Sequence, residues 1–132
     1  MIKILFLGKT REKFISSGID EYFKRLKRFT KIEIVEVKSL DMDFKDDFII
    51  VFDLNGKLLS SEELASTIKN VENKNITIIL GDEDGIPDKV KSKANLIISL
   101  SRMTFTHEFA RLIIMEQLYR SFTIINNLKY HK

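Results

Sequence analysis

The stretch Ile76-Thr-Ile-Ile-Leu80, which stops at Gly81, decides the fold of this 132-residue chain. The apolar run ended by glycine predicts a buried strand, and it is the fourth of five such runs. Helical patterns separate most of them, and this alternation is typical of an α/β protein built on a parallel sheet. A chain of this length holds one hydrophobic core, so we expect a single domain over residues 1–132.

The other elements are predicted outward from this strand. Further strands are expected at 2–7, 32–37, 48–52 and 96–100. Helices are expected at about 12–28, at 60–71 after the capping box Ser60-Ser-Glu-Glu63, shortly after Pro87, and at about 107–126. The first helix should bury one apolar face, formed by Phe14, Ile15, Ile19, Tyr22, Phe23 and Leu26.

The composition excludes several classes of protein. Without cysteine the chain forms neither disulfides nor thiolate metal sites, which fits a cytoplasmic protein. No apolar run approaches the roughly 20 residues of a membrane span, and the run at 4–7 is too short for a signal peptide. Asp82-Glu-Asp-Gly85 lacks the ligand spacing of an EF-hand, so we expect no metal site. Gly8-Lys9-Thr10 does not end a P-loop, because Lys3 replaces its first glycine.

Positive charge is concentrated in the first quarter of the chain. Residues 1–31 hold nine Lys and Arg against three Asp and Glu, whereas the remainder holds thirteen against sixteen. A basic end is typical of a protein that binds a polyanion, because contacts with phosphates release counterions. A solvated helix face explains the same charges equally well. The candidate contacts are Lys9, Arg11, Lys13, Lys24, Arg25 and Arg28.

Three predicted loops follow the carboxyl ends of strands, where parallel sheets bind ligands. They span 52–57, 81–87 and 100–106. Glycines in the first two allow backbone to face a ligand, and Met103 and Phe105 can form an apolar wall or join the core. Asn55-Gly56 predicts a hairpin turn, although Gly56 could instead bring backbone close to a ligand.

The last predicted helix and the tail after it carry an unusual set of side chains. Glu116 and Arg120 lie four residues apart and face each other, as an ordinary ion pair would. Their neighbours are apolar nearly all round the helix, so we expect a second copy of the chain to cover part of it. Tyr130-His131-Lys132 then brings an aromatic ring, an imidazole and a cation to a tail, which normally frays and contributes little to stability.

Several blocks of the sequence resemble the SPOUT-class ribosomal RNA large-subunit methyltransferase H family. These are Leu7-Gly-Lys9, Tyr22-Phe-Lys-Arg-Leu26, Asn55-Gly-Lys-Leu-Leu-Ser-Ser-Glu62, Ser101-Arg-Met-Thr-Phe-Thr-His107, Glu116-Gln-Leu-Tyr-Arg120 and Tyr130-His-Lys132. The resemblance implies an α/β SPOUT domain with a C-terminal trefoil knot that works as a homodimer. It also implies transfer of a methyl group from S-adenosylmethionine to N3 of a pseudouridine in 23S rRNA, in the ribosome or the large subunit. The basic end would then contact the rRNA.

The resemblance also assigns residues to the site. Those that would contact the cofactor are Phe52, Gly81, Leu100, Ser101, Arg102, Met103, Thr104 and Phe105. Arg120 would favour the deprotonated imide, with Glu116 fixing its direction. His131 would accept the imide proton, and Tyr130 would stack on or hydrogen-bond the flipped base.

The chain departs from the family pattern in three places. The family's Gly-Gly-Ser/Ala-x-Gly loop is here Gly81-Asp-Glu-Asp-Gly85, and its proline before the histidine is Thr106, which we expect to cap the last helix. The connection at 38–47 is shorter than in the family and short for a parallel crossover. The alternative function is a non-catalytic RNA- or ribosome-binding domain of the same fold, in which Asp82 and Glu83 have cost the chain its cofactor pocket. Cofactor binding would separate the two.

Overall fold

The computed structural model describes residues 1–41, 43–44 and 48–132. The strands are β1 (Ile2–Leu7), β2 (Ile32–Val37), β3 (Phe48–Leu58), β4 (Ile76–Leu80) and β5 (Leu96–Ser99). The helices are α1 (Lys13–Leu26), α2 (Ser61–Asn70), α3 (Asp88–Lys91) and α4 (His107–Ile125). These elements confirm the predicted alternation, and the largest difference is that β3 extends beyond its predicted end.

The five strands form one parallel sheet in the order β2-β1-β4-β3-β5. This confirms the predicted α/β class. β4 lies at the centre, and all five of its residues are buried because both faces of the sheet are covered. The trefoil knot stays a prediction.

Three helices cover one face of the sheet. Ile15 of α1, Ile68 of α2 and Met115 of α4 belong to one buried cluster with Ile4 and Ile78 of the sheet. The capping box at Ser60 begins α2 as predicted, since Ser60 Oγ accepts from Glu63 N and the Glu63 side chain accepts from Ser60 N.

The other face is covered by α3 and by part of the segment between β2 and β3. Because β1 and β4 lie between those two strands, this segment has to pass across both of them. Leu40 and Phe44 are buried against Leu5 and Ile79, and the described residues of the segment are not helical. The short connection therefore covers part of this face of the sheet. Met42 and residues 45–47 of the acidic stretch lie outside the described residues.

The predicted hairpin turn at Asn55-Gly56 is wrong. β3 continues through these residues with a register shift, so that both Phe52 and Lys57 pair with Ile98 of β5. Neither Asn55 nor Gly56 has the positive φ that a two-residue hairpin turn needs. A Cβ on Gly56 would lie 2.5 Å from the carbonyl carbon of Ile98. Gly56 thus allows close approach of β5 and not of a ligand.

Phe14 also differs from its prediction. Its side chain is 57% exposed, whereas the helical pattern placed it on the buried face of α1. The ring contacts that of Phe109 at the start of α4, with centroids 5.6 Å apart. The first turn of α1 therefore buries Ile15, whereas Phe14 lies outside the buried face and forms an exposed aromatic pair with Phe109.

α4 is less uniformly apolar than the sequence suggested. Its buried residues include four polar ones, namely Glu108, Arg111, Ser121 and Thr123. α1 and α2 both pack on it, so its own chain covers most of its surface. Within the described part of the chain, no helix is long and apolar enough to cross a membrane.

Candidate active site

A cavity of about 210 Å³ opens at the carboxyl ends of β3, β4 and β5. Seven of the eight predicted cofactor residues line it: Phe52, Gly81, Leu100, Ser101, Met103, Thr104 and Phe105. Arg102 is exposed and does not line this cavity. Acidic residues that the site prediction did not include, Asp53, Asp82 and Glu83, complete the wall. We call this cavity the strand-end pocket.

The acidic loop after β4 is held by its own backbone. Gly85 N donates to Asp82 O at 3.0 Å, and Asp84 N donates to Asp82 Oδ1 at 2.9 Å. A Cβ on Gly81 would lie 2.6 Å from Gly85 O. Gly81 is therefore required for closure of this tight turn, whereas the sequence suggested that it makes room for a ligand.

The opposite wall is a loop that serine side chains shape. Ser99 Oγ donates to Ser101 O at 2.9 Å, and Met103 N donates to Ser101 Oγ at 3.0 Å. The Met103 side chain is left 74% exposed at the mouth of the pocket. Thr106 Oγ1 accepts from Phe109 N at 3.3 Å, which confirms the predicted helix cap.

The four predicted catalytic residues, Glu116, Arg120, Tyr130 and His131, form a second group, the tail cluster. Arg120 Nη2 and Nε donate to the two oxygens of Glu116 at 2.8 and 3.3 Å. The Tyr130 hydroxyl donates to Glu116 Oε2 at 2.8 Å, and Arg120 Nη1 lies 3.0 Å from His131 Nδ1. The predicted ion pair is thus the centre of a larger network. Glu116 raises the pKa of Arg120, so this side chain stays cationic.

The tail is docked on its own chain and does not fray. The Tyr130 ring meets that of Tyr119 edge-on, with centroids 4.7 Å apart, and its hydroxyl lies 3.4 Å from that of Tyr22. Burial, together with hydrogen bonds to Tyr22 and Glu116, raises the pKa of Tyr130. Tyr130 is therefore a neutral phenol at physiological pH. His131 Nε2 contacts the carboxylate of Glu62 in α2.

Two charged residues of α4 shape the basic loop between β1 and α1. Arg111 is fully buried and donates to Thr10 Oγ1 and to Leu7 O, both at 2.8 Å. Glu108 Oε1 accepts from Arg11 N at 3.0 Å and from Glu12 N at 2.9 Å, and these bonds lower the pKa of Glu108. Glu108 and Arg111 were not among the predicted site residues. Charges within an apolar helix were the signal that could have revealed them.

The predicted polyanion contacts differ in their exposure and in their contacts with other side chains. Lys9, Arg11, Lys13, Lys24 and Arg28 are exposed. Arg25 instead pairs with Glu21 at 2.8 Å and lies over the rings of Tyr22 and Tyr119 at 5.0 and 5.4 Å. Arg25 is thus part of an aromatic contact as well as a charge at the surface.

Comparison with known proteins decides the family. The family model described as "Predicted SPOUT methyltransferase" matches residues 1–131. A ribosomal RNA large subunit methyltransferase H from Caldicellulosiruptor saccharolyticus is 38% identical over 154 residues, with 100% of both chains covered. The protein of that name from Prochlorococcus marinus is 42% identical, covering 99% of this chain and 95% of its own. The chain belongs to the SPOUT methyltransferase family.

Solved structures agree with this SPOUT methyltransferase in fold. A probable methylase family protein from Haemophilus influenzae matches with a TM-score of 0.67 at 16% identity, over 99% of this chain and 70% of its own. A probable methyltransferase from Bordetella pertussis matches with a TM-score of 0.60 at 10% identity, over 91% of this chain and 95% of its own.

The two groups of candidate residues lie apart within one chain. His107, at the start of α4, lines the strand-end pocket, whereas Arg120 lies thirteen residues further along the same helix. These two residues are about 20 Å apart along the helix axis, but Ala110, which also lines the pocket, lies only six residues, or about 9 Å, before Glu116 of the tail cluster. None of the four residues of the tail cluster lines the strand-end pocket of its own copy.

Proposed function

We propose that this SPOUT methyltransferase transfers a methyl group from S-adenosylmethionine to N3 of a pseudouridine in 23S rRNA, in the ribosome or the large subunit. The main support for this proposal is the composition of the two sites. The strand-end pocket is apolar and acidic, and the tail cluster holds a cation, a phenol and an imidazole. Relatives named ribosomal RNA large subunit methyltransferase H support the substrate class. A ribosomal substrate also favours a cytoplasmic location.

The strand-end pocket fits the cofactor in chemistry. S-adenosylmethionine supplies an electrophilic methyl group on a sulfonium, which becomes a neutral thioether when the methyl group leaves. Phe52, Leu100 and Phe105 offer an apolar wall to an adenine ring, while Asp82 and Glu83 place negative charge beside a cofactor of net positive charge. The acidic substitutions in the loop therefore suit the cofactor, which favours the enzyme over a non-catalytic binding domain.

The tail cluster fits the nucleobase. Methylation at N3 requires loss of a proton from an imide, and the nearby Arg120 cation favours the anionic imide. Glu116 fixes the direction of that guanidinium through two hydrogen bonds. Tyr130, neutral and half-buried, offers a ring face and a hydroxyl to a flipped base. Holding both reactants in place should supply much of the rate enhancement.

A second copy of the chain could bring the sites together, because none of the four residues of the tail cluster lines the pocket of its own copy. Four exposed apolar side chains around the pocket end of α4 support a homodimer: Phe14, Met103, Phe105 and Phe109. A second copy on this surface would cover them and could place its tail cluster over the pocket. Sedimentation at micromolar concentration should show a dimer, and a stable monomer would contradict it.

The basic residues of the first 31 positions are proposed to contact rRNA phosphates. Lys9 and Arg11 lie on the loop that α4 holds in place, so their positions are fixed relative to the site. Lys24 and Arg28 are exposed on and just beyond α1. Such contacts position the RNA without reading its sequence.

One experiment tests the whole proposal. Calorimetry should show binding of S-adenosylmethionine, and ribosomes or large subunits lacking the modification should gain one methyl group on a pseudouridine, located by mass spectrometry. Arg120→Ala should lower transfer by roughly 100-fold or more, as loss of a charge-stabilising donor does in other enzymes. Its cofactor affinity should not change. Binding of ribosomes without binding of cofactor would instead support the non-catalytic alternative.

A further inference from the structure

Glu62 closes a ring of hydrogen bonds around the tail. Ser61 Oγ donates to Gln117 Oε1 at 2.7 Å, and Gln117 Nε2 donates to Glu116 Oε1 at 3.0 Å. From Glu116 the ring continues through the tail cluster to His131, which contacts Glu62. The ring begins and ends on the first turn of α2, so this turn holds the cluster from two sides.

These contacts determine which nitrogen of His131 carries the proton. A guanidinium only donates hydrogen bonds, so Nδ1, which lies 3.0 Å from Arg120 Nη1, has to accept. The proton of the neutral ring is then on Nε2, which donates to the Glu62 carboxylate. A carboxylate bound to one ring nitrogen in this way sets the tautomer and leaves the other nitrogen basic.

We propose that Glu62 is a positioning residue for methyl transfer, which holds His131 as the Nε2–H tautomer so that Nδ1 accepts the imide proton. The inference rests on the proposed function. When the imide of the base accepts the hydrogen bond of Arg120 Nη1, His131 Nδ1 loses this donor and is free to accept a proton. The proton then leaves N3 for Nδ1, and the N3 electron pair forms the bond to the methyl carbon while the bond from that carbon to the sulfonium sulfur breaks and leaves its electron pair on sulfur. Glu62 balances the charge of the imidazolium.

The charges around the ring support this role. Glu62 from α2 and Arg120 from α4 contact the imidazole directly, and Glu116 neutralises Arg120. The hydrogen bond with His131 lowers the pKa of Glu62, which is therefore ionised at neutral pH. Tyr130, the neighbouring titratable group, stays protonated.

Replacement of Glu62 should leave the protein folded. Its side chain is 61% exposed, and exposed ion pairs contribute little to stability. The experiment uses the full chain, labelled with ¹⁵N in its histidines, as parent, Glu62→Ala and Glu62→Gln. Glu72→Gln, just beyond the other end of α2, is the matched control, and His107 is an internal reference for the spectra.

The parent should show one protonated and one unprotonated ring nitrogen for His131, with well-separated shifts. In Glu62→Ala these two shifts should move toward each other as the tautomers mix, while those of His107 stay in place. The turnover rate should fall about ten-fold, similar to the loss when partners that orient metal-bound histidines are removed. KM for S-adenosylmethionine should not change. Glu62→Gln keeps a hydrogen-bond acceptor but not the charge. Its His131 shifts and its turnover rate should therefore lie between those of the parent and those of Glu62→Ala.

Two results would overturn the role of Glu62. One is an unchanged His131 spectrum in Glu62→Ala, and the other is a mixed tautomer with a parental turnover rate. Both leave the proposed function intact, because the parent still methylates. A parent that methylates no ribosomal substrate would instead contradict the proposed function, and the role of Glu62 with it.

Discussion

The strand-end pocket and the tail cluster are built by different means. Short-range contacts within single loops shape the pocket, in the tight turn from Gly81 to Gly85 and in the loop at 99–105. Side chains of α4, α2 and the tail form the cluster, in which each polar group has a partner on another element. A change of shape should therefore damage the pocket, whereas a change of charge should damage the cluster.

Removal of residues 130–132 should have the largest effect. Methyl transfer should be lost, because the deletion removes both the imidazole and the phenol, while affinity for S-adenosylmethionine stays parental. The sequence suggested an unchanged melting temperature. The docked Tyr130 instead predicts a loss of roughly 1–2 kcal/mol in unfolding free energy, from its ring contact and hydrogen bonds.

Thermal unfolding and a methyl-transfer assay measure these effects. Removal of Lys132 alone is the control and should change neither quantity. A truncated chain that methylates at the parental rate would show that the tail takes no part in the reaction.

Gly81→Val should break the pocket and spare the cluster. Its Cβ would collide with the carbonyl of Gly85, so the turn would open and cofactor affinity should fall by roughly ten-fold or more. Gly85→Ala is the comparison, because its Cβ meets no atom within 4 Å and only the φ of +82° is strained. That strain costs about 1–2 kcal/mol. Equal cofactor affinities in calorimetry for Gly81→Val and the parent would exclude this loop from the cofactor site.

Removal of charge from the basic loop should have a smaller effect. It should change rRNA binding and leave both the strand-end pocket and the tail cluster intact. Lys9→Ala with Arg11→Ala should weaken rRNA binding and lower the slope of log affinity against log salt by about 1 per lost phosphate contact. The side chains of Thr10, Glu108 and Arg111 keep the loop in place, so cofactor affinity should stay parental. A salt slope equal to that of the parent would mean that these side chains are only solvated.

The smallest effect is expected from Glu108→Gln, which should change how the stability of the fold depends on pH. Hydrogen bonds from the N–H groups of Glu12 and Arg11 lower the pKa of Glu108 in the folded state. The carboxylate therefore stabilises the fold above its unfolded pKa, and this contribution is lost as pH falls through the folded pKa. Acid unfolding curves of Glu108→Gln should show a weaker dependence on pH below about 4.5 than those of the parent. Identical curves would contradict this role.

Local sequence patterns could place the pocket but not the contacts that hold the cluster, for a physical reason. Parallel strands bring their carboxyl ends to one edge, so the loops that hold Phe52, Gly81 and Leu100 could be placed together without knowledge of the strand order. No local rule brings Glu62 to His131, 69 positions away, or buries Arg111 beneath the basic loop. These contacts depend on how helices pack, and single-residue patterns do not contain that information.

The errors at Asn55-Gly56 and Phe14 have the same origin. A hairpin signal describes local chain preference, but pairing with β5 overrides it and draws the chain into an extended strand. Helical periodicity assigns Phe14 to the apolar face, but periodicity does not tell that only Ile15 of this turn is covered and that Phe14 lies against Phe109. The sequence predicted that the Phe14 ring is buried within its own chain. The ring is instead exposed next to Phe109, where we propose that a second copy of the chain covers it.

The order of the strands has a consequence for biosynthesis. β1 pairs with β2 on one side and with β4 on the other, so Ile2 faces both Ile32 and Ile76. A ribosome that adds roughly 5–20 residues per second needs about 2–9 s to proceed from the end of β2 to the end of β4. During these seconds the inner edge of β1 has no strand to pair with, and its backbone groups can pair with another nascent chain. The fold thus carries its greatest risk of aggregation before its central strand has been made.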